Sequence, residues 1–278
     1  GEKIKKTRQK ITQTHYLIEN EIVCGEIGPS IMDLDEIPSP YLSGLCDDLL
    51  AQNLIPNIQT KRGCPFQCTF CEDGHSYHNK IRRFSFDRVK DELWYIAART
   101  KAPHVMISDL NFGMYAEDVD VANELALLQK KFGWPKFFGN LNGKNNKERV
   151  VHIASIINQT NYSAAIQSTD QKVLKSIKRS NISKEKMLET TREAQKLGAS
   201  SVSELILCLP EDSLQAHLRS NFDLMDAEIE TIRTHQTVML PGAEMSSKAE
   251  RARFGTKTRY RVMPQTISSY NIFGEDFW

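Results

Sequence analysis

The chain has 278 residues, and its 36 Lys and Arg nearly balance its 35 Asp and Glu, for a net charge of +1. This charge gives no overall field toward nucleic acid or anionic membranes. No apolar run approaches the roughly 18 residues of a spanning helix, and the basic start lacks a signal-peptide core. We therefore expect a soluble, cytoplasmic protein with no membrane partner. The composition gives no evidence for nucleic-acid binding.

Three regions differ in pattern. Residues 1–52 are polar and mixed and predict an N-terminal extension or linker, residues 53–245 form a regular core, and residues 246–278 predict an incomplete C-terminal extension. The chain starts without Met and stops with no evident closing element, so we expect a fragment of a longer protein. The length suits one main α/β domain, since such barrels occupy roughly 200–250 residues.

Short apolar runs alternate with amphipathic helical patterns through the core, which is typical of repeated βα units and a parallel sheet. Helical spacing is clear in Val89, Leu93 and Ile96, and Gly133 stands where a helix should stop. The α/β pattern fits a partial, TIM-like (βα)6 barrel. The six predicted strands lie near residues 56–60, 103–109, 136–141, 162–168, 202–209 and 231–240.

Three cysteines follow the first predicted strand in the segment Cys64-Pro-Phe-Gln-Cys68-Thr-Phe-Cys71. Loops that leave the carboxyl ends of barrel strands converge on one mouth. Three thiolates there can hold three corners of a cubane iron-sulfur cluster and leave the fourth iron open. An open coordination position is typical of a catalytic metal site.

Two alternatives use the same cysteines without catalysis. His75 would complete a Cys3His zinc site. An electron-transfer cluster would need a fourth cysteine, and Cys24, Cys46 and Cys208 could approach only through the fold. Otherwise these three are most simply buried or neutral thiols.

The spacing Cys-x3-Cys-x2-Cys, with Phe70 before the last cysteine, resembles the signature of the radical S-adenosylmethionine (radical SAM) enzymes. The resemblance implies a 4Fe-4S cluster on Cys64, Cys68 and Cys71, whose open iron chelates S-adenosylmethionine (SAM). One electron, from a reductant such as flavodoxin or ferredoxin, then cleaves a carbon-sulfur bond to give a 5'-deoxyadenosyl radical. The family fold is a partial (βα)6 barrel.

Further segments resemble the subgroup that often carries an N-terminal cobalamin-binding domain. They include Ile37-Pro-Ser-Pro-Tyr-Leu42, Thr60-Lys-Arg-Gly-Cys-Pro-Phe66, Asn111-Phe-Gly-Met-Tyr115 and Met239-Leu-Pro-Gly242. This chain shows neither that domain nor its Asp-x-His-x-x-Gly motif, so cobalamin and methyl transfer are expectations for a longer parent protein. The substrate, a small molecule or a peptide, is not specified by the sequence.

The resemblance also implies contacts to SAM. Phe70 would lie near the adenine, and Asp109 stands where the family meets the methionine amino group, although the segment departs from the usual Gly-Gly-Glu-Pro. Gln167 and Ser168 end the fourth strand, where the family contacts ribose or carboxylate. Glu204 would flank the adenosine. Asp109 and Glu204 also suit helix caps or ion pairs.

Four basic residues remain open to two interpretations. Lys61 and Arg62 could favour the reduced cluster or form a salt bridge, and are equally plausible as solvated charges. Arg179 could interact with the negative end of a helix dipole or bind a carboxylate. Lys144, in a polar turn, is a speculative ligand for SAM or substrate because the turn is predicted at the mouth.

Overall fold

The computed structural model describes residues 4, 7–143, 145–157 and 161–259. Lys144 and residues 260–278 of the predicted C-terminal extension lie outside the described residues. Within the N-terminal extension, β1 (His15–Ile18) and β2 (Glu21–Cys24) pair as an antiparallel hairpin, which the sequence did not predict. A short helix, α1 (Asp47–Leu50), follows it.

Eight further strands and seven further α-helices lie in the described residues. The strands are β3 (Asn57–Ile58), β4 (Lys61–Arg62), β5 (Arg82–Arg83), β6 (His104–Phe112), β7 (Phe137–Asn142), β8 (Asn161–Gln167), β9 (Ser200–Leu207) and β10 (Thr231–Gln236). The helices are α2 (Phe86–Ala97), α3 (Asp118–Phe132), α4 (Lys147–Ile156), α5 (Gln171–Ser176), α6 (Lys184–Lys196), α7 (Leu214–Asp226) and α8 (Lys248–Arg253).

Six of these strands are parallel and form two three-stranded sheets, β3-β6-β7 and β8-β9-β10. The prediction of an α/β chain with six βα units in an open, partial barrel is confirmed. A seam lies between the sheets at β7 and β8. There the side-chain amide of Asn142 donates to the Ser163 carbonyl over 3.5 Å, in place of a backbone ladder.

The predicted strand limits need correction at four places. The second strand runs from His104 to Phe112 instead of ending at residue 109. The first strand is only Asn57–Ile58, because the chain then enters a small antiparallel pair between β4 and β5 that the sequence did not predict. The fifth strand runs from Ser200 to Leu207 and ends where Cys208 takes a φ of 65°. The sixth ends at Gln236 instead of residue 240.

Each sheet packs against helices through its own apolar cluster. Helices α2 and α3 cover the first sheet, and Leu93, Ile107 and Leu125 are fully buried there. Helices α6 and α7 lie over the second sheet, around Tyr162 and Leu205. These clusters hold the strands parallel, so the strand carboxyl ends share one mouth.

Several local expectations can be checked directly. Gly133 ends α3 with a φ of 65°, which confirms its role as a helix stop because glycine enters this left-handed region without a Cβ clash. Of the three cysteines outside the loop, Cys24 and Cys208 are exposed and Cys46 is partly exposed, so none of them is buried. None of the helices in the described ranges combines the length and apolar character needed to cross a bilayer.

Candidate functional site

The cysteine loop is a tightly folded connection between β4 and β5 at the mouth. Cys64 and Cys68 are buried and Cys71 is partly exposed. Gly63 has a φ of 108°, and a Cβ there would come within 2.6 Å of the Lys80 carbonyl oxygen. The Cys64 amide donates to the His78 carbonyl over 2.9 Å. The close approach of backbone to backbone explains why glycine precedes the first cysteine.

The same loop reaches across to the second sheet. The Thr69 amide donates to the Ile177 carbonyl over 3.1 Å, and the Thr69 carbonyl accepts from the Met245 amide over 2.8 Å. Phe70, predicted to lie near an adenine, packs together with Ile206 against a buried apolar cluster formed by Val173, Leu174, Ile177 and Leu209. The loop is therefore fixed between the two halves of the barrel.

The side chains of Asn111 and Arg179 donate to cysteine sulfurs. The Nδ2 of Asn111 lies 3.3 Å from Cys64 Sγ, and the Nη1 of Arg179 lies 3.8 Å from Cys68 Sγ. Asn111 is 3% exposed, and its Oδ1 is buried without a hydrogen-bond partner in the part of the chain that the structure describes. Sequence patterns alone assign no role to Asn111, because an Asn near a strand end is also ordinary in turns.

Arg179 is a buried cation beside the cysteine loop. Its Nε donates to Asn181 Oδ1 over 2.9 Å, and its Nη2 donates to the Ala165 carbonyl. Among the described residues, no salt bridge joins it to a carboxylate. Burial lowers the pKa of Arg179, and the neighbouring cysteines, Cys68 first, oppose that shift. The location of Arg179 favours an interaction with the cysteine sulfurs over an interaction with a helix dipole alone.

Asp109 faces the stem of the cysteine loop. Its side chain is fully buried and accepts from the Thr60 amide over 2.7 Å, from the Thr60 hydroxyl and from the Lys61 ammonium at 3.1 Å. Lys61 also pairs with buried Asp118. Lys61 is therefore a buried ion-pair residue, whereas Arg62 is exposed and donates a hydrogen bond to Gln59.

Asp118 was not predicted to be important. One of its oxygens accepts from the amides of Gly113 and Tyr115, over 2.8 and 3.0 Å. Burial raises the pKa of Asp118, and the Lys61 ammonium opposes this shift. The carboxylates of Asp109 and Asp118 thus share one buried cation, and the three groups join the loop stem to β6 and α3.

Gln167 and Ser168 end β8 at the mouth, as predicted. Gln167 has a φ of 68° and is 8% exposed, and its buried Oε1 has no hydrogen-bond partner among the described residues. The Ser168 hydroxyl accepts from the Asp170 amide over 3.2 Å and lies 3.5 Å from the Ser220 hydroxyl. Gln167 therefore has an unused acceptor, and Ser168 is engaged in the turn that follows.

Glu204 lies on β9, beside β10. Its carboxylate is 3.5 Å from Nε2 of His235; Glu204 is partly exposed and His235 is exposed. It stands in register with Ala165 of β8 and Arg233 of β10.

Lys147, at the start of α4, extends to the seam between the sheets. Its ammonium donates to the Ser163 carbonyl over 3.0 Å and is only 3% exposed. Burial, with a smaller contribution from Arg179, lowers the pKa of Lys147 to about 7. Between pH 7 and the ordinary pKa of lysine, the unfolded state binds more protons than the folded state. The contribution of Lys147 to folding stability therefore rises with pH above 7.

We predict that Lys147→Met removes this pH dependence. The wild-type free energy of unfolding should gain roughly 2 kcal/mol from this residue between pH 7 and pH 9, and the variant should lack that gain. Urea denaturation at both pH values measures the difference. Lys196→Met, at an exposed lysine in the last turn of α6, should keep the wild-type slope. Equal slopes for wild type and Lys147→Met would contradict the burial effect.

The donor set suits an iron-sulfur cluster and SAM. Three cysteine thiols lie on one loop, and two of them receive N–H donors. Among the described residues, no three His, Cys, Asp or Glu side chains converge on a single ion. In a cubane cluster each thiolate binds a different iron, so such convergence is not required. The unpartnered oxygens of Asn111 and Gln167 fit a ligand that carries hydrogen-bond donors.

His75, the fourth ligand of the zinc alternative, is exposed. Its Nδ1 accepts from the Tyr77 amide over 3.3 Å.

The fold and the site together define a six-stranded partial barrel with a three-cysteine loop at its mouth. The family model described as "Radical SAM superfamily" matches residues 58–219, which include all three cysteines and the ends of the first five barrel strands. The chain belongs to the radical SAM superfamily, whose members are enzymes that use a 4Fe-4S cluster and SAM.

Two relatives in sequence are named as methyltransferases. The cobalamin-dependent radical SAM methyltransferase TokK of Streptomyces tokunonensis is 30% identical over 256 residues, which cover 86% of this chain and 36% of TokK. The 2-(S-pantetheinyl)-carbapenam-3-carboxylate methyltransferase of Streptantibioticus cattleyicolor is 30% identical over 239 residues, covering 80% of this chain and 34% of that protein. This chain therefore matches about a third of the length of these relatives.

A solved structure shares the fold. The radical SAM methyltransferase TsrM of Kitasatospora setae, with cobalamin and a [4Fe-4S] cluster bound, aligns with a TM-score of 0.60 at 13% identity. The alignment covers 71% of this chain and 39% of TsrM. The likeness supports the partial barrel, and the sequence relatives support the cobalamin-associated subgroup.

Proposed function

We propose that this chain binds one 4Fe-4S cluster through Cys64, Cys68 and Cys71 and reductively cleaves SAM at its mouth. The observation that carries the proposal is the fixed cysteine loop, with Cys64 and Cys68 buried and each contacted by an N–H donor. When bound, the cluster would supply the electron that cleaves SAM, with flavodoxin or ferredoxin as the reductant. The chain supplies the ligands, excludes water and orients SAM.

Asn111 and Gln167 are the best supported side-chain contacts to SAM. Each carries a buried oxygen without a partner, and an ammonium or ribose hydroxyl would satisfy it. Asp109 is less available, because Thr60 and Lys61 occupy its carboxylate. Its contact to the amino group stays a prediction.

The other proposed contacts rest on position. Phe70 would lie beside the adenine and Glu204 beside the adenosine, each at the site the resemblance assigns. Ser168 would need to exchange its turn contacts for a ligand. These three contacts remain predictions.

The relatives' names support methyl transfer as the reaction of a longer parent protein, with cobalamin bound by a domain outside this chain. TokK is named as cobalamin-dependent, and the carbapenam enzyme is named as a methyltransferase. We also propose that the substrate is a small molecule or a peptide and that the protein is cytoplasmic. The barrel domain in this proposal spans residues 53–245.

The test is anaerobic reconstitution with iron and sulfide, followed by reduction with dithionite in the presence of SAM. We expect a full complement of iron and acid-labile sulfide, and formation of 5'-deoxyadenosine or S-adenosylhomocysteine. Zinc without iron or sulfide would support the zinc alternative instead. A loaded cluster that binds SAM but gives neither product would leave the electron-transfer alternative.

We predict that Gln167→Leu weakens SAM binding by about tenfold, because one hydrogen bond to the ligand is lost. The dissociation constant for SAM, measured anaerobically on the loaded protein, tests this. Gln171→Leu is the matched control, since Gln171 is exposed at the start of α5. Unchanged affinity in Gln167→Leu, with an intact cluster, would remove Gln167 from the SAM site.

A further inference from the structure

Asn111 is a buried amide donor beside a cysteine of the loop. It lies at the end of β6, it is 3% exposed, and its Nδ2 is 3.3 Å from Cys64 Sγ. A thiolate is a stronger acceptor than a thiol, so this contact gains strength when Cys64 binds iron. The opposite amide orientation would turn the oxygen toward the thiolate and is disfavoured by charge.

The backbone on both sides of Asn111 is held in place. Asp109, two residues earlier, accepts from the Thr60 and Lys61 amides. Phe112, the next residue, is fully buried and stands in register with Asn142 of β7. The donor is therefore positioned before any cluster binds, and little reorganisation is needed when the charge on the cluster changes.

Reduction adds one negative charge to a cluster that three thiolates already hold. Hydrogen bonds to the sulfurs and exclusion of solvent both change the reduction potential of such clusters. A donor on a buried sulfur stabilises the added charge more than it would in water, because the local dielectric is low. Arg179 donates to Cys68 over a longer distance, 3.8 Å, so Asn111 makes the shorter contact.

We propose that Asn111 is a positioning residue that sets the reduction potential of the cluster through its N–H···S hydrogen bond to Cys64. The inference rests on the proposed function, since it requires the cluster. It assigns to Asn111 an electronic role that is separate from any contact its Oδ1 makes to SAM.

The test is an EPR-monitored redox titration of the loaded protein without SAM. Asn111→Leu removes the donor at similar volume, and we expect a lower midpoint potential than wild type. Asn111→Asp also removes the donor and adds a carboxylate, and we expect a lower midpoint still. Asn142→Leu is the matched control, because Asn142 also ends a strand at the mouth but donates to the Ser163 carbonyl. Its midpoint should equal wild type.

A second measurement uses the wild-type chain and does not depend on any variant folding. With nitrogen-15 asparagine incorporated, pulsed EPR of the reduced cluster should show a coupling from one nearby asparagine nitrogen. Absence of that coupling in a fully reduced cluster would overturn the inference.

The outcomes separate the inference from the proposed function. A protein that loads the cluster and cleaves SAM, but has the same midpoint in Asn111→Leu as in wild type, overturns the role of Asn111 alone. A shift of equal size in Asn142→Leu would also overturn it, since the effect would then be general. A wild-type protein that binds zinc and no cluster overturns both claims.

Discussion

Cys68→Ala should abolish cluster binding and reduce SAM cleavage to background. Cys68 is buried, its backbone carbonyl accepts from the Cys71 amide over 3.1 Å, and its sulfur faces Arg179. A cluster held by three thiolates loses one corner with this substitution, and two remaining ligands retain it poorly. Iron and sulfide analysis, the visible absorption of the reconstituted protein and assay of 5'-deoxyadenosine measure the loss.

Cys208→Ala is the control for that experiment. Cys208 also lies near the mouth, directly after β9, but it is exposed. Alanine carries a Cβ as cysteine does, so the substitution leaves the backbone strain at its φ of 65° unchanged. We expect wild-type iron content from it. Equal loss in both variants would indicate that Cys208 is a fourth ligand, and retention of the cluster in Cys68→Ala would contradict the assignment of the cysteine loop.

The barrel was predictable because its signals are periodic. Apolar residues at helical spacing located α2, α3, α6 and α7, and the apolar runs between them located the six parallel strands. The two-residue pairings of β4 with β5 were not predictable, because Lys61 and Arg62 have no strand-like pattern. The seam at β7 and β8 depends on side chains that replace backbone hydrogen bonds, and periodicity does not report such contacts.

The site was predictable only where a motif marks it. The cysteine spacing identified three ligands, whereas the donors that face them come from residues distant in sequence, 47 positions away for Asn111 and 111 for Arg179. Asp109 shows the limit of assignment by position. A carboxylate at a strand end can bind the ammonium group of a ligand. Here the ammonium of Lys61, a buried lysine of the same chain, pairs with that carboxylate.

The buried group of Lys61, Asp109 and Asp118 leads to the second large prediction. Lys61→Met should lower the free energy of unfolding by about 3–5 kcal/mol, because two buried carboxylates lose their shared cation. All three side chains are at most 4% exposed, so water cannot replace the ammonium without rearrangement. Arg62→Met, at the adjacent exposed residue, should change stability by less than about 0.5 kcal/mol.

The pH dependence of Lys61→Met separates this mechanism from a simple packing defect. The pKa of Asp118 is already raised by burial, and losing Lys61 removes the attraction that opposes this shift. An acid whose folded pKa lies above its unfolded value binds more protons when folded, so its contribution to stability falls as pH rises through that window. The deficit in urea denaturation should therefore be smaller at pH 5 than at pH 8. A deficit independent of pH would assign the loss to packing, and a stable variant with strengthened SAM binding would instead return the freed Asp109 carboxylate to the ligand site.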